Sequence, residues 1–218
     1  PNPPIMSRGA SALVVLANRK IGTSKQETQF TIEGGLDEII DVIRLADRKA
    51  APFTRDFAPL LRGSTPKRTL YNIWKFVRKN IRYVADPNGH EKIKSPGATW
   101  ASRYADCKSM SLFVGSILRN LDFRYTYRVV FYDRNNPERG HIYPVVLLDD
   151  GQEVIVDTVH YAFNEELVYW KGYNYDPETG YKAKVSGIQS NVWTKWAILG
   201  LGALLVLSGN RKSAVLHD

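Results

Sequence analysis

The sequence predicts an α+β protein, because helical and strand patterns occupy different parts of the chain. Up to residue 121, apolar residues recur mainly at the three- and four-residue spacing of helices. After Asp122 they alternate or form short β-branched runs, as strands do. The chain has 218 residues, 44% of them hydrophobic, which is enough to bury a core. We therefore expect helices packed on an antiparallel sheet, with the main domain covering residues 35–185.

The first 34 residues (1–34) predict an extended N-terminal arm. "SALVVLANRK" is a short apolar run, and "QFTIEGG" alternates before two glycines, so one or two short strands are predicted here. No long apolar stretch follows a basic start, so the sequence indicates no cleavable signal peptide.

Helices are predicted between the arm and the cysteine. One begins at Leu36, where apolar residues fall on a single helical face, and a shorter one covers about 54–61. Another begins after Thr65, whose side chain can cap it, with Pro66 in its first turn. The segment 86–100, "DPNGHEKIKSPGATW", is predicted to be a loop because of its Pro, Gly and Asn content.

The single cysteine, Cys107, is predicted in the first turn of a helix that Asp106 can cap. Unpaired N–H groups and the helix dipole favour a thiolate there, and the same N–H groups can bind an oxyanion. The alternative is a buried cysteine that only packs. One cysteine excludes an intramolecular disulfide, and the four histidines lack metal-site spacing, so we expect no metal and no cofactor.

Two further residues complete a chemical pattern around the thiol. His141 opens a predicted strand, and Asp157 is an acid inside the apolar run "VIVDTV", where a carboxylate needs a partner. A thiol, an imidazole and a carboxylate that orients it form a catalytic set. Alone, His141 could equally be an ordinary histidine at the end of a strand.

The loop between these strands decides whether His141 and Asp157 can meet. A three-residue loop over 149–151, with Gly151 in the left-handed conformation, places both side chains on one face of the hairpin. A two-residue turn places them on opposite faces. The sequence permits both turns.

Two segments resemble the transglutaminase-like superfamily of papain-fold thiol enzymes: "SPGATWASRYADCKSMSLFVGSILRNLDFRYTYRVV" and "GHIYPVVLLDDGQEVIVDTV". The likeness covers about residues 30–160, and the helices before the cysteine resemble those of bacterial and phage members. The resemblance implies a papain-like/transglutaminase-like core with Cys107, His141 and Asp157 as catalytic residues. The implied enzyme is a cysteine peptidase, an amidase or a transglutaminase-like acyltransferase.

The sequence departs from the family pattern at two positions. Ala105 replaces the usual glycine of Gly-Asp-Cys, and Tyr143 stands where a tryptophan often follows the histidine. Alanine is strained if that position requires a positive φ. A second enzyme family, the NlpC/P60-like cell-wall peptidases, also places cysteine at a helix start and histidine on a strand.

The charge of +8 favours anionic partners, and peptide, protein or cell-wall polymer is the expected substrate. Lysines and arginines are scattered, which argues against specific nucleic-acid binding.

Residues 192–208 are apolar apart from Lys195, so an apolar, possible transmembrane helix is predicted over 190–212. Through 191–210 it would contact a lipid bilayer or an apolar assembly partner, which predicts a membrane-associated protein or one held in a viral particle.

A non-enzymatic function is the alternative hypothesis. The same fold could serve as a structural, membrane-associated virion protein that does not use catalysis. The apolar tail, the phage-like upstream helices and Ala105 motivate this alternative.

Overall fold

The computed structural model describes residues 11–24, 27–30, 36–86, 91–135 and 140–185. The helices in these ranges are α1 (Ala12–Lys20), α2 (Leu36–Arg48), α3 (Ala51–Thr54), α4 (Pro66–Asn80), α5 (Pro96–Ser102) and α6 (Cys107–Asn120), with a short 3₁₀ helix at Ala58–Leu61. The strands are β1 (Glu27–Phe30), β2 (Arg82–Tyr83), β3 (Glu91–Lys94), β4 (Tyr104–Ala105), β5 (Tyr125–Phe131), β6 (Gly140–Leu147), β7 (Glu153–Ile155), β8 (Lys171–Tyr175) and β9 (Lys182–Val185).

The last five strands form one antiparallel sheet in the order β7-β6-β5-β8-β9. The short strands before them form two separate pairs, β1 with β3 and β2 with β4. Helices therefore come before the sheet along the chain, and the chain crosses over from β7 at one edge to β8, which pairs with β5. This arrangement confirms the predicted α+β class.

Helix α6 forms the centre of the core. Nearly every side chain in it is buried, including Phe113 and Ile117, and it contacts β6 and the helices α2 to α5. The helix starts where the sequence predicts, because the Asp106 carboxylate accepts the N–H of Ser109 at 3.0 Å. Thr65 caps α4 in the same way. The Asp106 cap fixes where α6 begins, and so makes Cys107 its first residue.

Several predicted elements differ in the structure. The first apolar run of the N-terminal arm is the helix α1, not a strand, and it buries Ala17 in the core. The arm's second predicted strand is present as β1. The predicted helix over 54–61 is reduced to the end of α3 and a 3₁₀ turn. Tertiary contacts explain the helix α1, because its apolar side is covered by the core.

The segment 86–100 is not a loop throughout. It contains β3, which pairs with β1, and the start of α5, which Ser95 caps by accepting the N–H of Ala98 at 3.1 Å. Its turn-forming residues hide a strand whose partner lies about 60 residues earlier in the chain. Local composition cannot reveal such a distant pairing.

Proline in a sheet is usually confined to an edge strand or a bulge, but Pro144 lies in β6, which is an interior strand. Its carbonyl accepts the N–H of Val156 at 3.0 Å, one residue beyond the end of β7. The nitrogen of Pro144, which has no hydrogen to donate, faces the same side as its carbonyl. On that side β7 has already ended, so little pairing is lost. The proline is tolerated because the neighbouring strand is short.

The predicted apolar tail helix over 190–212 lies outside the described residues, as do residues 1–10. Within the described part of the chain, every helix is too short or too polar to cross a bilayer.

Candidate active site

Cys107 is the first residue of α6 and is half-buried. Its N–H belongs to the first turn, where a helix supplies no main-chain acceptor. The thiol therefore lies beside N–H groups that can stabilise a negative charge on sulfur or on a substrate oxygen. The predicted position of the cysteine agrees with the structure.

Ala105 carries no backbone strain. It lies in β4, paired with Tyr83, and is 2% exposed. Its φ is not positive, whereas Arg103, two residues earlier, has a φ of 60°. Because this backbone does not require glycine, the replacement of the family's usual glycine adds only a buried methyl group.

The hairpin between β6 and β7 has the register that brings His141 and Asp157 together. Gly151 has a φ of +80°, and the N–H of Leu148 donates to the Gln152 carbonyl at 2.9 Å. The loop is therefore the three-residue one. Nε2 of His141 lies 2.7 Å from Oδ2 of Asp157.

Asp157 is held by three other groups. Its Oδ1 accepts the N–H groups of Val159, at 2.9 Å, and His160, at 3.3 Å. Its main-chain carbonyl accepts the indole N–H of Trp74 at 2.9 Å. Burial raises the pKa of Asp157, but the hydrogen bond and charge of His141 and the two N–H groups outweigh it, so the pKa is lowered. The carboxylate stays ionised and fixes the imidazole.

The imidazole of His141 also lies close to the thiol of Cys107. Burial lowers the pKa of His141, but hydrogen bonds with Asp157 and Cys107, and the charges of both, raise it to about 10. Because Nε2 is occupied by Asp157, Nδ1 is the nitrogen available to the sulfur. An imidazolium at this position is a counter-ion for a thiolate.

Two tyrosines flank the imidazole of His141, and the sequence alone assigns neither of them a role in the site. The ring centroids of Tyr132 and Tyr143 lie 6.2 and 5.3 Å from that of His141. The Tyr143 hydroxyl donates to Glu166, which also pairs with Arg128 at 2.9 Å. For Tyr143 there is a signal in the sequence, because it stands where the family often has a tryptophan two residues after the histidine. Nothing in the sequence pattern identified Tyr132 or the Trp74 hydrogen bond.

Behind the nucleophile, Asp86, Glu91 and Asp106 bring their carboxylate oxygens within 4.8 Å of one another, the kind of cluster that can hold a metal ion. The ammonium of Lys108 pairs with all three. Burial lowers the pKa of Lys108, but the charges of Asp106 and Cys107 and the hydrogen bonds outweigh it, so the pKa is raised. The lysine ammonium already lies among the three carboxylates and offsets one of their charges, so the cluster is better suited to support the start of α6 than to bind a further cation.

The site thus combines a thiol at a helix start, an imidazole and an orienting carboxylate, the constellation of thiol acyl-transfer enzymes. No family model matches the chain, and no curated protein sequence does. Similar folds are found among solved structures. One, named as a putative protease from Parabacteroides distasonis, has a TM-score of 0.52 and 9% identity, covering 69% of this chain and 31% of that one.

Two other structures are less similar. A protein named as a putative cysteine protease from Cytophaga hutchinsonii has a TM-score of 0.41 and 14% identity, over 76% of this chain and 55% of that one. A transglutaminase has a TM-score of 0.33 and 14% identity, over 60% and 33%. Only the first of the three similarities has a TM-score above 0.5. It shows a shared fold at low identity, and this chain spans less than a third of that protein.

Proposed function

We propose that the protein is a transglutaminase-like thiol enzyme that hydrolyses amide or peptide bonds or transfers their acyl groups. One observation carries the proposal: His141 bonds to Asp157 at 2.7 Å, and Cys107 at the start of α6 is close enough to the same ring to raise its pKa. An imidazole that is only 13% exposed and lies close to both a carboxylate and a helix-start thiol has a direct chemical use.

In the proposed reaction, the Cys107 thiolate attacks the carbonyl carbon of an amide. As the C–S bond forms, the carbonyl electrons move to oxygen, and the N–H of Cys107 stabilises the oxyanion. His141 then donates its proton to the leaving amine as the C–N bond breaks, leaving a thioester. Water or an amine attacks the thioester, His141 takes up its proton, and the C–S bond breaks to release the acid or the new amide. Asp157 keeps the ring oriented throughout.

Peptides or proteins are the proposed substrates, and cell-wall peptide is the more specific proposal. The charge of +8 supports an anionic target, and the fold shared with a protein named as a protease is consistent with peptide chemistry. The proposal that the chain acts at a membrane or in a phage particle rests on the sequence of residues 191–210 and on the resemblance to phage members.

Alkylation kinetics test the nucleophile directly. Iodoacetamide should modify Cys107 at neutral pH at least about tenfold faster than it modifies glutathione, because a thiolate reacts and a thiol does not. His141→Gln should reduce the rate towards that of glutathione. A matched His160→Gln variant should retain most of the rate, because His160 has no described contact with Cys107. A wild-type rate equal to that of glutathione would overturn the proposal.

The structural-protein alternative is less well supported. One of its motives was Ala105, and that residue has an unstrained backbone in a buried strand. The aligned Cys107, His141 and Asp157 favour the enzyme. A folded protein that fails the alkylation test would restore the alternative.

The tail proposal has its own test. Deleting residues 190–218 should leave a folded protein that no longer binds phospholipid vesicles, with the alkylation rate of Cys107 unchanged. Vesicle co-sedimentation and circular dichroism measure the two effects. Unfolding of the truncated chain would show that the segment belongs to the core.

A further inference from the structure

A groove of about 500 Å³ lies beside the candidate catalytic residues. One wall is the last part of α4 together with β2, and the other includes Met110 of α6 and Thr158. We call it the basic groove, because it is lined by Lys75, Arg78, Lys79 and Arg82. The proposed reaction uses none of these side chains.

The basic groove is adjacent to the thiol. Met110 is one helical turn after Cys107 on the same face of α6, and Thr158 follows Asp157 in the chain. Tyr83 lines the groove and pairs with Ala105, two residues before the cysteine. Burial and the charge of Cys107 raise the pKa of Tyr83, which also indicates that the two side chains are close. A substrate bound to Cys107 can therefore extend into the groove.

The charged side chains that line the groove are all positive. Its four cationic side chains are exposed, and among the described lining residues there is no carboxylate. Among the carboxylates near the lining residues, Asp157 is bonded to His141 and to two N–H groups, and Asp86 and Asp106, whose charges act on Tyr83, pair with Lys108. Like-signed charges lining a concave surface add their fields, although each exposed charge alone contributes little.

Arg78 is held in place rather than free. Nη1 of Arg78 donates to the Val159 carbonyl at 2.9 Å, and the guanidinium lies 5.9 Å from the centroid of the Trp74 ring. A fixed guanidinium loses less rotational freedom on binding a carboxylate, and its remaining N–H groups can form a forked pair. Trp74, which is partly exposed, adds apolar surface beside these charges.

We infer that the basic groove binds a carboxylate of the substrate, so that the preferred substrate is an acidic peptide whose carboxylate lies close to the amide that Cys107 attacks. This inference rests on the proposed function. It adds selectivity for glutamate or aspartate next to the reacting amide and exclusion of lysine there. It also gives the positive charge of this part of the chain a specific use.

The test uses three peptidyl fluoromethyl ketones that differ only in the residue beside the reactive carbonyl: glutamate, glutamine or lysine. Each alkylates an activated cysteine thiolate and releases fluoride, so the rate of labelling of the full-length protein reports recognition. We expect the glutamate compound to label Cys107 about tenfold faster than the glutamine compound, and the lysine compound to be the slowest. The preference should weaken at high salt.

Two double variants locate the selectivity. Lys79→Gln with Arg82→Gln should reduce the glutamate-to-glutamine rate ratio to about two. Arg62→Gln with Lys67→Gln removes the same charge from exposed positions that do not line the groove, and should keep the wild-type ratio. A fourth ketone, with D-glutamate linked through its side-chain carboxyl as in cell-wall peptides, distinguishes a cell-wall source of the carboxylate from a protein source.

The outcomes separate this inference from the proposed function. If no ketone labels the wild-type protein, the proposed function fails and the inference with it. If all three ketones label it at the same rate, the nucleophile stands and the carboxylate preference is overturned. A preference that both double variants lose equally would reflect overall charge and would also overturn the groove as its source.

Discussion

Two buried carboxylates in this protein, Asp47 and Asp157, have nearly the same exposure and opposite uses. Asp47 is fully buried and Asp157 is 7% exposed. Asp47 accepts the hydroxyls of Tyr125, at 2.7 Å, and Tyr127, at 2.6 Å, and pairs with Arg119. None of these partners changes protonation near neutral pH, because arginine stays charged and burial raises the pKa of both tyrosines.

Asp157 instead holds a histidine, whose ring also interacts with a half-buried thiol. The difference lies in the partner and not in the depth of burial. A carboxylate among permanent donors stabilises the fold, whereas a carboxylate on a titratable ring next to a nucleophile can support chemistry. Depth of burial alone would have grouped the two together.

The largest expected effect concerns Asp47. Asp47→Ala should lower the free energy of unfolding by about 3–5 kcal/mol, because it leaves two tyrosine hydroxyls and Arg119 without their buried acceptor. Urea unfolding followed by circular dichroism measures the loss. Asp41→Asn, at an exposed position of the same helix, should cost less than about 0.5 kcal/mol. A loss below about 1 kcal/mol for Asp47→Ala would contradict its structural role.

The next expected effect is the pH dependence of stability that His141 contributes. Its folded pKa, about 10, lies above the ordinary value of 6.5, so its protonated form stabilises the fold fully below pH 6.5. The stabilisation is lost as the pH rises towards 10, by at most about 1.4 kcal/mol per pH unit for one proton. Unfolding in urea at a series of pH values measures the slope. His141→Gln should flatten it, and an unchanged slope would assign it to other groups.

Asp157→Asn should affect reactivity more than stability. The amide can keep the two main-chain hydrogen bonds at Oδ1 but removes the charge opposite His141, so the pKa of His141 should fall towards its ordinary value. We expect iodoacetamide to modify Cys107 about tenfold more slowly at neutral pH, with a loss of about 1–2 kcal/mol in stability. Alkylation kinetics and the NMR titration of the ring measure the two effects. A variant with wild-type kinetics would remove Asp157 from the site.

The smallest effect tests the packing around Asp47. A methyl group on Gly115 of α6 would clash with the Tyr127 hydroxyl and lie 3.0 Å from Asp47 Oδ1, so Gly115→Ala should cost about 1–2 kcal/mol despite the higher helix propensity of alanine. The added cost should be smaller in a Tyr127→Phe background, which removes the hydroxyl. A double-mutant cycle in urea measures this coupling. Additive costs would show that the clash does not involve that hydroxyl.

Elements defined by local signals could be predicted from the sequence. The capping residues Thr65 and Asp106 stand where α4 and α6 begin, and the alternating runs became strands of the sheet. The sequence alone did not decide the length of the turn between β6 and β7, because its residues are compatible with a two-residue turn and with a three-residue loop. The structure has the three-residue form, which alone places His141 beside Asp157.

Elements that depend on distant partners could not be predicted. The run at 12–20 is short and apolar, and it becomes helical because the core covers one side of it. Strand β3 is hidden among turn residues until β1 pairs with it. The four cations of the basic groove lie close together in the chain, within 75–82, but only the fold places them opposite Met110 and Thr158. Tyr132 likewise reaches the His141 ring only because β5 pairs with β6.

By itself, the sequence determined that helices precede a sheet that begins after Asp122, that a helix starts at Cys107, and that three residue types suited to acyl transfer are present. These follow from interactions within a few residues, such as caps, periodicity and turn chemistry. Only the tertiary structure decided that the imidazole of His141 meets both a carboxylate and the thiol, and that a groove lined by cations lies beside them. Those contacts join side chains far apart in the chain. They form only when burial of the shared core offsets the entropy lost in bringing such residues together.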